Sequence, residues 1–236
     1  MTAPLFYVDS VGVGPLTLDG DRARHAAGSM RLKPGEPVTV CDGHGAVGYA
    51  QVVQVDGRSR LVLDVQKVEV HQAPSSLCVV QALPKGDHAD LAVDLLTQTG
   101  ASRIVPWASK RAVADWKGKQ QTKVERWRRV AMASAMQSRR LFLPQIDALC
   151  EGVPAIEGHG LVLHEAAQQS LFDLDLPAGP ITVVVGPEGG LDDDEVGALE
   201  DMGAIPVSLG DQILRTSSAG AAACVWIRGF ESRSGS

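Results

Sequence analysis

The stretch ITVVVGPEGGLDDDEV, Ile181 to Val196, runs a β-branched strand into a glycine-rich turn and then into a helix start. A glycine turn between strand and helix ordinarily points to phosphate, because free N–H groups and the positive end of the helix dipole face the turn. Here the helix opens with Asp192, Asp193, Asp194 and Glu195, four carboxylates that would repel a phosphate. The turn suits a different ligand. Asp192 followed three residues on by Glu195 fits a capping box, so DDDEVGALEDMG is expected to be a helix that ends near Gly203.

Upstream, LCVVQAL reads as a buried strand, GDHADLAVDLLTQTG as a helix opened by Asp87 and closed by Gly100, and SRIVPW as a second strand. Strand, helix, strand in that order implies a parallel α/β domain. Lys117 to Gln137 reads as a long helix with Val124, Trp127, Ala131 and Ala135 on its apolar stripe. GLVLHEA is a strand ending at His164, and AIPVSLGDQILRTSSAGAAACVWIRGF adds a short strand, a loop and an alanine-rich final helix. That helix is too apolar for an open surface and should pack into the core or against a partner. Before His71 the pattern changes: short β-branched runs alternate around DGHG, a hairpin signal, so the first part is a small β domain. The boundary falls in VHQAPSS, giving domains 1–72 and 73–236.

The chain of 236 residues is long enough for two cores. No apolar run approaches the roughly 20 residues of a membrane span, and MTAPLFYVDS has no signal-peptide pattern, so a cytoplasmic location is expected. Four scattered cysteines, with no C-x-x-C and no histidine at ligand spacing, indicate neither a metal site nor a disulfide framework. The net charge of -6 hides a segregation. Residues 85–140 carry 12 basic and 5 acidic side chains, whereas residues 141–236 carry 3 and 15. Within a Debye length of about 10 Å only the local field matters, so the basic block is a candidate polyanion surface. A solvated helix face is the competing reading.

Three strand-end loops carry the chemistry: LHEA (163–166), GPEGG (186–190) and LGDQILRT (209–216). In open α/β sheets ligands collect at the carboxyl ends of strands. Neither a dinucleotide fingerprint nor a P-loop occurs. Glycines there let backbone approach a flat ligand, and an acidic rim suits a cationic one. An adenosyl group on a sulfonium has both properties.

LPKGD (83–87), RIVPW (103–107), VGPEGGLDDDEV and LGDQILRTSSA closely resemble the ribosomal RNA small subunit methyltransferase E (RsmE) family of the SPOUT class. GPEGG followed some twenty residues on by LG-x-x-(I/V)-L-R-T is the specific combination, and the resemblance extends to MRLKPGEPVTVCDGHG near the N-terminus. It implies a PUA-like β-barrel domain that helps bind RNA, and an α/β domain with a trefoil knot. It implies S-adenosylmethionine in the knot region, about 160–225, a homodimer, and methylation of uridine N3 in small-subunit ribosomal RNA, free or in the assembled small subunit, with no membrane partner.

Carried onto this sequence, the resemblance makes Leu163, His164, Gly186, Pro187, Glu188, Gly189, Gly190, Leu209, Gly210, Ile213, Leu214 and Thr216 the methyl-donor contacts. Arg215 and Glu188 become the candidate catalytic residues, with His164 a second candidate for proton removal. For Arg215 an ion pair with a nearby carboxylate is the bland alternative; for Glu188 it is a loop-bracing hydrogen bond, and for His164 a bond to backbone. Arg22, Arg24, Arg31, Lys85, Arg111, Trp116, Arg126, Arg129, Arg139 and Arg140 are the candidate RNA contacts, with Trp116 the candidate base stacker because its neighbours are polar. Departures from the family pattern are Ser217, Met136 and Arg139, where glutamate, glutamate and glycine are usual. Two other readings fit the same residues: a non-catalytic RNA-binding or ribosome-assembly factor, and a SPOUT methyltransferase with a different RNA target.

Overall fold

A computed structural model describes residues 3–20, 24, 31–57 and 60–234. The chain forms two compact units, Met1–Pro74 with Ala135–Leu143, and Ser75–Ser134 with Pro144–Ser236. Among the described residues no helix is long and apolar enough to cross a membrane.

The first unit is a five-stranded sheet of β1 (Leu5–Tyr7), β2 (Gly14–Asp19), β3 (Pro37–Cys41), β4 (Ala46–Asp56) and β5 (Arg60–Val70), in the order β1-β3-β4-β5-β2. The expected hairpin joins β3 to β4, with the Asp42 carboxylate accepting from the N–H groups of His44 and Ala46. Two register shifts in the β4–β5 ladder are bulges, which bend and twist a strand. Phe6, Leu18, Val40, Leu61 and Leu63 fill its core. The segment Ala135–Leu143 is held to this unit by the Tyr7 hydroxyl donating to the Arg140 carbonyl, and by Leu143 N–H bonding Gly43 O at 2.9 Å. Arg139 lies in this segment with φ +57°, a conformation glycine adopts without steric cost.

The second unit is a parallel sheet built from β6 (Leu77–Ala82), β7 (Arg103–Ala108), β8 (Gln145–Ile146), β9 (Cys150–Glu151), β10 (His159–Leu163), β11 (Ile181–Val185) and β12 (Ile205–Val207). Its order is β12-β10-β11-β6-β7-β8, with β9 also on β7. Every residue of β6 and β11 is buried, because both faces of the sheet are covered. Leu77, Val79, Val183 and Val185 pack against Val93 and Leu96 of α1 (His88–Gln98), Trp127 of α2 (Gln120–Gln137) and Ala223 and Ile227 of α4 (Thr216–Ser234). Val80 and Val184 face the other way, toward Leu199 of α3 (Asp193–Asp201). Gly220 permits the close seating of α4: a Cβ there would lie 3.0 Å from both Leu96 and Val185.

The helix α2 starts three residues later than its sequence pattern indicates. Gly118 takes φ +71°, outside helical space, and Lys119 N–H closes a turn on Trp116 O at 2.7 Å before regular helix begins. Its apolar stripe is as expected, with Val124, Trp127, Ala131 and Ala135 all buried.

Candidate active site

The carboxyl ends of β10 and β11 and the loop 209–216 enclose one cleft in two adjoining parts of about 300 and 560 Å³, which share Leu163, His164, Glu165, Ile213, Leu214 and Ala219. The smaller part adds Gly186, Pro187, Glu188, Gly190, Arg215 and Thr216; the larger adds Leu209, Gly210, Asp211 and Gln212. The structure therefore brings together all the expected donor-site residues except Gly189. Gly189 faces the backbone of the segment after β7, where a Cβ would meet Arg111 O at 3.3 Å.

The acidic helix start has a structural explanation that the sequence left open. Asp192 and Glu195 form the expected capping box on α3. Glu195 is 4% exposed and reaches further: its carboxylate accepts from Lys110 N–H at 2.7 Å as well as from Asp192 N–H at 3.1 Å, tying the segment after β7 to the turn. The Lys110 ammonium bridges Asp192 and Asp194 at 2.9 and 2.8 Å, and Arg111 adds a 3.4 Å contact to Asp192. The Lys110 hydrogen bond holds the Asp192 carboxyl below the usual carboxylate range. Two cations thus offset part of the four-carboxylate charge, and the acidity that faces the cleft comes from Glu165, Glu188 and Asp211.

Arg215 stands on the cleft wall, exposed, and its guanidinium makes no ion pair or hydrogen bond among the described residues. The bland alternative for it is therefore not what the structure contains. Its carbonyl starts α4, accepting from Ser218 and Ala219 N–H at 2.8 and 2.9 Å. Glu188 takes the bracing role, its Oε1 accepting from Lys85 N–H at 3.2 Å while Oε2 has no hydrogen bond within the described residues. The His164 ring is engaged with backbone through Nδ1, which accepts from Ala166 N–H at 3.2 Å, while the backbone N–H of His164 bonds Val207 O at 3.0 Å.

Sequence reasoning passed over Gln81. This side chain, fully buried at the end of β6, donates from Nε2 to Ala82 O at 3.0 Å and to Thr216 O at 3.3 Å, which pins the start of α4 beside Arg215. Its Oε1 has no partner among the described residues. The signal was present in LCVVQAL, where one polar residue interrupts an apolar run at the strand end that faces the cleft.

The candidate RNA contacts divide. Trp116 is corrected: it is 4% exposed and packs edge-on against Trp127, with ring centroids 5.0 Å apart, so it is core and offers no stacking face. Its polar neighbours stay in solvent while the non-helical chain turns the indole inward. Arg126 is held in a fork by Asp90, from 2.6 to 3.0 Å, and Arg111 pairs with Asp192. Arg129, Lys85, Lys117, Lys119 and Lys123 have side chains without ion pairs among the described residues. Arg24, Arg31 and Arg139 are exposed and Arg140 is half-buried, whereas Arg22 lies outside the described residues.

The parallel sheet with a cleft at its strand ends is matched by a family model described as an RNA methyltransferase domain, over residues 71–228, and residues 18–66 match one described as an RNA methyltransferase PUA domain. An RNA methyltransferase is the class these features define. The ribosomal RNA small subunit methyltransferase E of Mycobacterium bovis is 39% identical over 94% of this chain and 90% of its own, and that of Bacillus subtilis 29% identical over 86% and 85%. A crystal structure of the enzyme of that name from Neisseria gonorrhoeae, bound to S-adenosyl methionine, shares the fold with a TM-score of 0.85 at 24% identity, over 97% of this chain and 98% of that one. The chain belongs to the ribosomal RNA small subunit methyltransferase E family.

Proposed function

We propose that this protein uses S-adenosylmethionine to methylate N3 of a uridine in small-subunit ribosomal RNA. The observation that carries the reading is Arg215, without a partner among the described residues, on the wall of a strand-end cleft whose other walls are apolar side chains, backbone and carboxylates. That lining fits the donor. Leu163, Ile213 and Leu214 suit the faces of a flat ring, Gly210 with φ +91° keeps the backbone open to close approach, and Glu165, Glu188 and Asp211 match a positive charge. A phosphate-bearing dinucleotide would meet the wrong sign.

When bound, S-adenosylmethionine supplies an electrophilic methyl group on a sulfonium. The protein's task is then to align the acceptor and to handle its proton. Uridine N3 is protonated and weakly nucleophilic, and as the proton leaves, charge spreads onto the two flanking carbonyl oxygens. Arg215 can donate to one or both of them, an interaction that strengthens as the charge develops. Glu188 Oε2 is the proton acceptor we favour, since Lys85 N–H already steadies the other oxygen and His164 is engaged with backbone. Gln81 positions Arg215 through Thr216.

The reading extends to assembly and location. Phe172, Trp226 and Phe230 form an aromatic row, with Phe172 and Val225 half or more exposed, and this face supports a homodimer. A trefoil knot is part of the proposal: from the edge strand β12 the chain returns to the sheet centre, where Thr216 meets Gln81. The cytoplasm, where ribosomal subunits are found, is the proposed location. Calorimetric titration with S-adenosylmethionine tests the cleft: saturable one-to-one binding per chain is expected, and no binding to the folded protein would remove the reading.

A further inference from the structure

We propose that a separate cavity of about 280 Å³, between the β6–α1 loop and the first turns of α2, is a nucleobase pocket that takes an unpaired guanine of the RNA substrate. The proposal rests on the reading above that the substrate is RNA. The floor is the edge-on pair Trp116 and Trp127, both buried, so an entering group loses water on that side. On one wall Arg126 is locked by Asp90, whose oxygens lie 2.6 to 3.0 Å from its nitrogens. The pair's charges largely cancel, and what the fixed guanidinium still offers is a flat face on which a base can stack.

The rim selects the base. Asp87 sits at the N-cap position of α1 without capping it, and it adds to the negative field around Arg126. Asp115 accepts from Lys117 N–H at 2.8 Å through one oxygen and keeps the other. Ionised carboxylates only accept hydrogen bonds, so the ligand edge must donate. Guanine presents two adjacent donors, N1–H and the N2 amino group, which match the two oxygens of one carboxylate. Adenine and cytosine each place an acceptor beside their amino group, and uracil has one donor between two acceptors. Among the described residues no group of three or more His, Cys, Asp or Glu is placed to hold a metal ion. Lys123, half-buried on the wall and without an ion pair among the described residues, is available to the nucleotide's phosphate. The same loop reaches the cleft, since Lys85 N–H donates to Glu188 at 3.2 Å, so one strand of RNA can engage both places.

The test titrates the full-length protein with GMP, AMP, CMP and UMP, read by tryptophan fluorescence, and repeats it with Asp87→Asn, Asp115→Asn and the double variant. We expect GMP to bind about tenfold or more tightly than UMP, the size of discrimination one bidentate pair gives. The double variant should bring the four nucleotides within about twofold of one another, with S-adenosylmethionine affinity unchanged by calorimetry. Equal binding of GMP and UMP, no nucleotide binding, or a guanine preference that survives the double variant would overturn the pocket. Loss of donor binding in the unaltered protein would instead count against the proposed function.

Discussion

Replacing Glu195 by glutamine removes one negative charge and turns one acceptor oxygen into a donor, in a side chain only 4% exposed. The native carboxylate accepts two backbone N–H groups, Lys110 at 2.7 Å and Asp192 at 3.1 Å. An amide can accept one of them through its carbonyl and must point N–H at the other. A buried N–H left unsatisfied costs about 1–3 kcal/mol, and losing an acid from the first turn of α3 adds about 0.3–1 kcal/mol. The sum, about 1.3–4 kcal/mol, should lower the melting temperature of the second unit by about 3–16 °C, at 2–4 °C per kcal/mol for a domain of this size. Scanning calorimetry reads the shift, and Glu195→Ala, which abandons both N–H groups, should lower it further. A glutamine variant melting within about 1 °C of the parent would show that the clamp between the segment after β7 and the glycine turn contributes little.

Other consequences are equally concrete. Arg215→Ala should reduce turnover about a hundredfold or more while leaving donor affinity nearly unchanged, with lysine rescuing only in part; near-normal turnover would assign Arg215 to loop bracing. Gly210→Val places a β-branched residue at φ +91° on the cleft wall and should abolish donor binding in calorimetry. Arg129→Ala with Lys119→Ala should flatten the slope of log RNA affinity against log salt by about 0.7 for each phosphate that is no longer neutralised, whereas Arg126→Ala, already paired with Asp90, should change it less. The lowered Asp192 carboxyl stabilises the fold above its unfolded value of about 3.9 and loses that contribution as pH falls through its folded value. Asp192→Asn keeps the N-cap, so its melting deficit should be constant from about pH 5 to 8, begin to shrink below about pH 4, and be gone only once the pH lies below the folded value of Asp192.

Much of the fold is readable from local pattern. LCVVQAL and ITVVV are apolar at every position save Gln81 and Thr182 because helices cover both faces of their sheet. The stripe of α2 and the capping box of α3 likewise follow from residues a turn apart. What escaped the sequence depends on partners far along the chain. Lys110 and Arg111 sit about 80 residues from the carboxylates they neutralise, so a cluster that looks like bare negative charge is a braced corner. Trp116 is buried because of Trp127, not because of its polar neighbours. Ala135–Leu143 belongs with the first unit through bonds to Gly43, Cys41 and Tyr7, which no nearby residue announces.

The proposed chemistry turns on the atom that receives the methyl group. Purified protein, S-adenosylmethionine carrying a labelled methyl, and small ribosomal subunits from cells lacking the gene should yield a single new labelled nucleoside on digestion and mass mapping. It should be N3-methyluridine, from one position in the small-subunit RNA. Label on a ribose oxygen or on another base, or no transfer from a protein that binds the donor, would contradict it.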